Sequence, residues 1–406
     1  MLNAFGPTLI PIGWGAYQIE EWIPGAQIRL SKNPHYFRAA EGLPNFDHLL
    51  YQFVSDDPAR NIPKLISGEC DILEESAKLF DQGELLLAMA ERNQLQAIFT
   101  SKPVWEHLDF GIVPLSFDND WSPADDRPDL FGDVRTRRAI AYCVDRENVV
   151  KNVMFGQSAV LDSYLPPDHP LFNPDVEQYN FDPEEGIALL EEVGWVDADG
   201  DPATPRTFAG ENSRIPAGTP LTFNYWTSTT PHRQQAAQLL AQSMSECGIQ
   251  ANVQFWSTGE YFIEGPDGPI FGRRFDLGEL GWLIDVEPLC EIYLTEWIPG
   301  NPLETNPYLG EPFLSWQAPN ISGFSNFEFD TACRTALASL PGQTSYTQNH
   351  LKAQEIFAAE LPAIPLYLQI KVAAARADMC HFVLDPTSTG DFFNIELFDY
   401  GKKCDE

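Results

Sequence analysis

Leu221-Thr222-Phe223-Asn224-Tyr225, the stretch His232 to Cys247, and Ile249-Gln250-Ala251-Asn252-Val253-Gln254-Phe255 follow one another with only short breaks. The first and third read as β-strands and the middle one as an amphipathic helix. A strand, a helix and a strand so closely spaced make a β-α-β unit, and that unit points to an α/β architecture.

Working outward toward the N-terminus, Ala16-Tyr17-Gln18-Ile19-Glu20-Glu21-Trp22, a Pro24-Gly25 turn and Gln27-Ile28-Arg29-Leu30 read as a hairpin. His48-Leu49-Leu50-Tyr51-Gln52-Phe53 is another strand. Asp57-Pro58 then opens a helix, with Asp as cap and Pro in the first turn. Pro63 is expected to kink or interrupt that helix, which ends at Gly68. Cys70-Asp71-Ile72-Leu73 reads as a strand, so residues 48–73 are expected to form a further β-α-β unit. A strand over 104–112 leads to a polar loop at 118–128 and to helical spacing over 134–154, restarting near Asp145. Asp182-Pro183-Glu184-Glu185 starts a helix that runs to Gly194. Asp197-Ala198-Asp199-Gly200-Asp201 lacks the ligand spacing of a calcium loop and reads as an acidic turn. Residues 288–320 form a Pro-, Gly- and aromatic-rich excursion, 351–360 a helix and 364–368 a strand, and the tail ends in short β segments.

The chain has 406 residues, more than one core usually holds, so two lobes are expected. Hydrophobic residues make up 44% and aromatics 12%, which argues against a disordered acidic chain. No apolar run is long enough to read as a bilayer-spanning helix. Against 59 acidic residues stand only 25 Lys and Arg, a net charge of −34. Such a field repels nucleic acid and anionic lipid, and it suits an extracellular, periplasmic or salt-adapted protein. The start, Met-Leu-Asn-Ala-Phe-Gly-Pro-Thr, has no basic and apolar leader, so the expectation is a true start further upstream.

The seven cysteines include no Cys-x-x-Cys pair. Cys70, Cys143 and Cys247 read as small buried hydrophobes. Cys290 with Cys333, and Cys380 with Cys404, are candidate disulfides for an oxidising compartment. The seven histidines show no metal-ligand spacing, and neither a nucleophile elbow, a dinucleotide fingerprint nor a phosphate-binding loop is present. No catalytic residue, metal or cofactor is therefore expected. Carboxylates abound, but none forms a distinctive catalytic pair.

Gly13-Trp14-Gly15-Ala16-Tyr17, followed by Glu21-Trp22-Ile23-Pro24-Gly25, resembles the first hairpin of oligopeptide- and dipeptide-binding proteins of ABC importers, the peptide/nickel type of extracellular solute-binding protein, family 5. The resemblance continues in order through Asn33-Pro34-His35-Tyr36-Phe37, Ser67-Gly68-Glu69-Cys70-Asp71-Ile72, Asp133-Val134-Arg135-Thr136-Arg137-Arg138-Ala139-Ile140, and Val144-Asp145-Arg146-Glu147. It ends on Asp182-Pro183-Glu184 with Leu189-Leu190-Glu191-Glu192-Val193-Gly194-Trp195, and on Gly281-Trp282-Leu283-Ile284-Asp285. Each piece is weak alone, but the ordered series covers most of the chain.

The resemblance implies a type II periplasmic-binding-protein-like fold, with two lobes joined by hinge crossings near 108–112 and 364–368. One lobe would be 1–112 plus 365–406, lacking the family's N-terminal part, and the other 113–364. A peptide or other small solute would bind in the interlobe cleft and be passed to an ABC permease in the membrane, in a periplasmic or extracellular setting that admits a lipoprotein anchor. Asp285 would accept a ligand ammonium, Trp282 would form a wall, and Gly281 would let backbone approach the ligand. His232, Tyr367, Trp226 and Tyr261 are further ligand-contact candidates. Glu279 stands where some peptide binders carry Arg, and Gly111 where the family usually has Asn. An acidic cleft would favour a cationic or neutral ligand. The competing expectations are an extracellular carbohydrate-active enzyme and a binding-fold fragment unable to hold ligand.

Overall fold

The computed structural model describes residues 13–54, 57–201, 204–300, 316–388 and 390–401. The chain divides into two compact units, Met1–Lys102 with Ile370–Glu406, and Pro103–Gln369. The boundaries expected at 112/113 and 364/365 compare with divisions at 102/103 and 369/370, each inside a long strand.

In the first unit, β1 (Tyr17–Ile23), β2 (Gln27–Lys32) and β3 (His48–Gln52) form an antiparallel sheet in that order. α1 (Pro58–Ser67) is capped by Asp57, whose carboxylate accepts from Ala59 N, and Gly68 closes it in the left-handed conformation. Of the two expected outcomes, a kink or an interruption, Pro63 does not interrupt the helix. Its missing N–H would have served only Ala59, one turn back, so the loss is a single bond. β4 (Ile72–Leu73) pairs with the end of a strand three hundred residues further on, while β3 pairs with β2. Residues 48–73 are thus not a β-α-β unit: the two strands have partners in different sheets. α2 (Gly83–Glu91) leads into β5 (Leu95–Phe110), within which the chain passes to the second unit.

The second unit holds α3 (Val134–Tyr142), α4 (Arg146–Asn152), α5 (Pro183–Val193), a small ladder of β6 (Trp195–Val196) and β7 (Thr207–Phe208), and then β8 (Thr222–Ser228), α6 (Pro231–Glu246) and β9 (Gln250–Trp256). It continues with α7 (Thr258–Tyr261), β10 (Leu277–Leu283), α8 (Phe327–Leu337), α9 (Thr344–Glu360) and β11 (Ala363–Arg376). β11 carries the chain back to the first unit, where β12 (Met379–Cys380) and β13 (Asp399–Tyr400) pair with each other. The second unit's sheet runs β11-β5-β10-β8-β9, with β8 parallel to both β9 and β10. β8-α6-β9 is the β-α-β unit read from the sequence.

Several residues of the motif series have structural roles. Asp133, Asp145 and Asp182 cap α3, α4 and α5 through backbone N–H groups two or three residues on. Arg137 is buried and donates to the carbonyls of Phe131 and Leu361, and buried Arg146 donates to those of Leu161 and Pro365. Gly111 has no room for a side chain, since a Cβ would lie 2.3 Å from the Phe275 carbonyl oxygen. α9 begins earlier than the expected 351 because Tyr346 and His350 continue its buried stripe, His350 as a polar member that hides the pattern.

Cys290 and Cys333 are disulfide-bonded, and so are Cys143 and Cys247. The second pair corrects the reading of those two as buried thiols: both are buried, but their positions at the ends of α3 and α6 bring them together across 104 residues of sequence. Cys70 is a free thiol and only half-buried, which corrects its reading as a core residue. The Cys380–Cys404 pairing cannot be followed, because Cys404 lies outside the described residues.

Candidate functional site

In an open α/β sheet, ligands bind beyond the carboxyl ends of the parallel strands. In the second unit, β8, β9 and β10 all point the same way, so that end is formed by Ser228, Trp256 and the segment following Leu283. Pro231 at the first position of α6 starts the helix directly after β8.

The floor is a buried charged cluster. Glu106 on β5 lies in register opposite Gly281 on β10. Arg233, in the first turn of α6, donates Nε and Nη2 to the Glu106 carboxylate at 3.2 and 2.9 Å, and Nη1 to Ser228 Oγ at 3.2 Å. Gln369 on β11 donates to the same carboxylate, and His232 Nε2 stands 3.5 Å from it. A Cβ on Gly281 would sit 3.0 Å from Glu106 Oε1, so the glycine makes room for that carboxylate.

Glu279, two residues earlier on the same face of β10, is also fully buried. Its carboxylate accepts from the Tyr225 hydroxyl at 2.8 Å, and Tyr367 faces it from β11. Burial and then the Glu106 charge push the Glu279 carboxyl well above its ordinary value. Burial pushes Glu106 the same way, but the Arg233 guanidinium beside it, with His232, holds it below. At neutral pH the cluster therefore holds one carboxylate, one guanidinium and one protonated carboxyl, a nearly neutral set that avoids an uncompensated buried charge.

Glu279, Gly281, His232 and Tyr367 thus gather around Glu106. Tyr261 is fully buried, and its hydroxyl donates to the carbonyls of Trp226 and Glu279 at 2.9 and 3.0 Å, bracing β8 against β10. Trp226 stacks edge-on against Trp256. Trp282, on the opposite face of β10, is half-buried between two apolar clusters, one containing Trp105 and the other Leu280. Asp285 stands outside this cluster in the exposed loop after β10, its Oδ1 accepting from Val286 N at 2.6 Å. The same loop is tied to α9, where Glu287 Oε1 lies 3.5 Å from Nε2 of the buried His350.

Glu106, Arg233, Gln369 and Tyr225 were not identified from sequence. One signal was available: the strand Trp105-Glu106-His107-Leu108-Asp109-Phe110 carries three ionisable groups among core residues, and all are buried. Among the described residues, no group of three His, Cys, Asp or Glu is arranged to hold a metal ion, and no helix is long and apolar enough to cross a membrane.

A mixed α/β chain in two units, joined through two long strands and carrying this sheet, has the type II periplasmic-binding-protein fold. It superposes on the oligopeptide-binding protein of Thermus thermophilus in complex with a pentapeptide, with a TM-score of 0.62 and 24% identity over 95% of this chain and 62% of that one. NikA of Brucella suis in complex with Fe(III)-EDTA gives a TM-score of 0.67 at 17% identity, over 96% of this chain and 69% of that one. Residues 4–296 match the sequence model described as "Bacterial extracellular solute-binding proteins, family 5 Middle", and the chain belongs to that family. Di/tripeptide-binding protein 2 of Pseudomonas aeruginosa is 24% identical over 392 residues, and the dipeptide-binding protein of Escherichia coli 21% over 389. These alignments take in 95% and 96% of this chain but 62% of each relative, so the chain spans about three fifths of their length.

Proposed function

We propose that the chain is the ligand-holding part of an extracytoplasmic receptor that delivers a peptide or another small solute to an ABC permease, and that it binds without chemistry. The observation that carries this reading is the end of β10 in a chain of this family. There the strand leaves the buried, charge-compensated cluster and ends in half-buried Trp282 and exposed Leu283, followed by exposed Asp285 and Val286. An aromatic wall next to an acceptor is suited to a small solute with a polar end. The charged cluster beneath is closed on itself by Arg233 and Gln369, which suits positioning rather than acid-base work. An extracytoplasmic setting agrees with two disulfides in the second unit. In the two di- and tripeptide-binding relatives the printed names give peptides as ligands, which supports peptide as the first class to try.

Thermal unfolding against a panel of di- to pentapeptides, oligosaccharides and metal chelates tests this. A ligand at about a hundred times its Kd adds about 2.7 kcal/mol of stability. The expected result is a shift with one ligand class that Asp285→Ala removes without lowering the unliganded Tm, because Asp285 is exposed. A shift that survives Asp285→Ala would remove this residue from the site. No shift with any class would count against the receptor reading.

A further inference from the structure

We infer that the buried set Glu106, Arg233 and Glu279 is a proton-operated lock on the start of α6, closed while Glu279 carries a proton and opened when it loses it. The inference concerns the second unit alone and does not depend on what the protein binds.

Arg233 ties three elements together. From the first turn of α6 it reaches Glu106 on β5 through Nε and Nη2, and Ser228 at the end of β8 through Nη1. Gln369 adds β11 by donating to the same Glu106 carboxylate. Glu279 lies beside this tie on β10. Its Oε2 accepts from Tyr225, while its Oε1 is buried and has no hydrogen-bond partner. The groups that face Glu279 are Glu106 from β5, Arg233 from α6, Tyr225 from β8, Tyr261 from α7 and Tyr367 from β11, and His232 of α6 faces Glu106. Burial keeps the three tyrosines as uncharged phenols far above neutrality. Among the groups facing Glu279, Arg233 carries the one permanent positive charge.

Two fully buried carboxyls therefore depend on a single guanidinium. With Glu279 protonated, Arg233 is free to serve Glu106 alone, and the set is neutral. With Glu279 ionised, the set carries an uncompensated negative charge away from water, which is strongly unfavourable. Two responses relieve it: Arg233 moves toward Glu279, or water enters the cluster. Either one weakens the bonds of Arg233 to Glu106 and Ser228, which hold the first turn of α6 against β5 and β8. Burial and the Glu106 charge raise the Glu279 carboxyl to about 8, so the lock is closed below that pH and opens above it.

Infrared difference spectra of the full chain, titrated from about pH 6 to about pH 9.5, and hydrogen exchange of α6 test this. The carbonyl stretch of a protonated carboxyl should disappear with a midpoint near pH 8, and that loss should be absent in Glu279→Gln. Exchange is compared between wild type and variant at the same pH, so that its intrinsic pH dependence cancels. Peptides covering Ser228 to Leu240 should exchange alike at about pH 6, and at least about tenfold faster in the wild type at about pH 9.5, because the variant stays locked. Peptides of α5, which takes no part in the cluster, should show no such difference. Where Glu279→Gln does not fold, Tyr225→Phe replaces it. That change removes a hydroxyl that favours the charged form, so the midpoint and the onset of fast α6 exchange should both move to higher pH. A carboxyl band that persists to about pH 9.5, a band loss that survives in Glu279→Gln, or an unmoved midpoint in Tyr225→Phe overturns the inference. So does proton loss with no faster exchange of α6, or with α5 accelerated equally.

Discussion

Glu279 and Glu106 share one guanidinium in a site closed to water, and the two carboxyls respond to pH in opposite senses. Glu279 keeps its proton in the folded chain up to about pH 8, against an ordinary value of 4.5. Across that window the folded chain holds a proton that the unfolded chain has released, so stability falls as pH rises. Glu106 is ionised when folded, so its contribution is present above 4.5 and is lost as pH drops toward about 2. Glu279→Gln removes the first dependence. Urea unfolding at pH 5 and pH 8 should show the wild type losing on the order of 3–5 kcal/mol between them, and the variant markedly less. Equal losses in both would show that Glu279 is ionised when folded. This cluster was largely hidden in the sequence, because its members come from positions 106, 233, 279 and 369 and no local pattern joins them. A Cβ on Gly281, singled out in the sequence for a ligand approach, would lie 3.0 Å from Glu106 Oε1.

Among the elements, those with strong local chemistry were legible. The Asp caps, the Pro at first helical positions and the closing Gly68 and Gly194 mark α1, α3, α4 and α5 to within a residue or two. Pairing was less legible: β3 and β4 look alike on either side of α1, and only their distant partners separate them. The same holds for the cysteines that tie α3 to α6. Gly186 of α5 packs on that disulfide, and a Cβ there would lie 2.4 Å from Cys143 Sγ. Closing a loop of 104 residues, this bridge should contribute about 2–4 kcal/mol. The Cys143→Ser/Cys247→Ser double variant should unfold at correspondingly lower urea with the slope of the transition little changed. An unaltered midpoint would mean that the bridge does not constrain the unfolded chain.

For the whole molecule, the ordered series of short motifs carried the fold, and within it Asp133, Asp145 and Asp182 build helix caps while Arg137 and Arg146 are buried braces. Arg137 and Arg146 hold carbonyls of β11 and its approach, and so support the sheet on which the site is mounted. Ligand identity was not legible, because no motif in the chain names a ligand, and the chain spans 62% of the relatives it matches. The central claim is reversible binding without turnover, and the most direct measurement is equilibrium dialysis of the chain against a mixed library of short peptides, with mass spectrometry of both compartments. The account predicts a subset of peptides enriched on the protein side in stoichiometric amount and recovered intact after denaturation. Cleaved or otherwise modified peptides accumulating beyond one equivalent would contradict it.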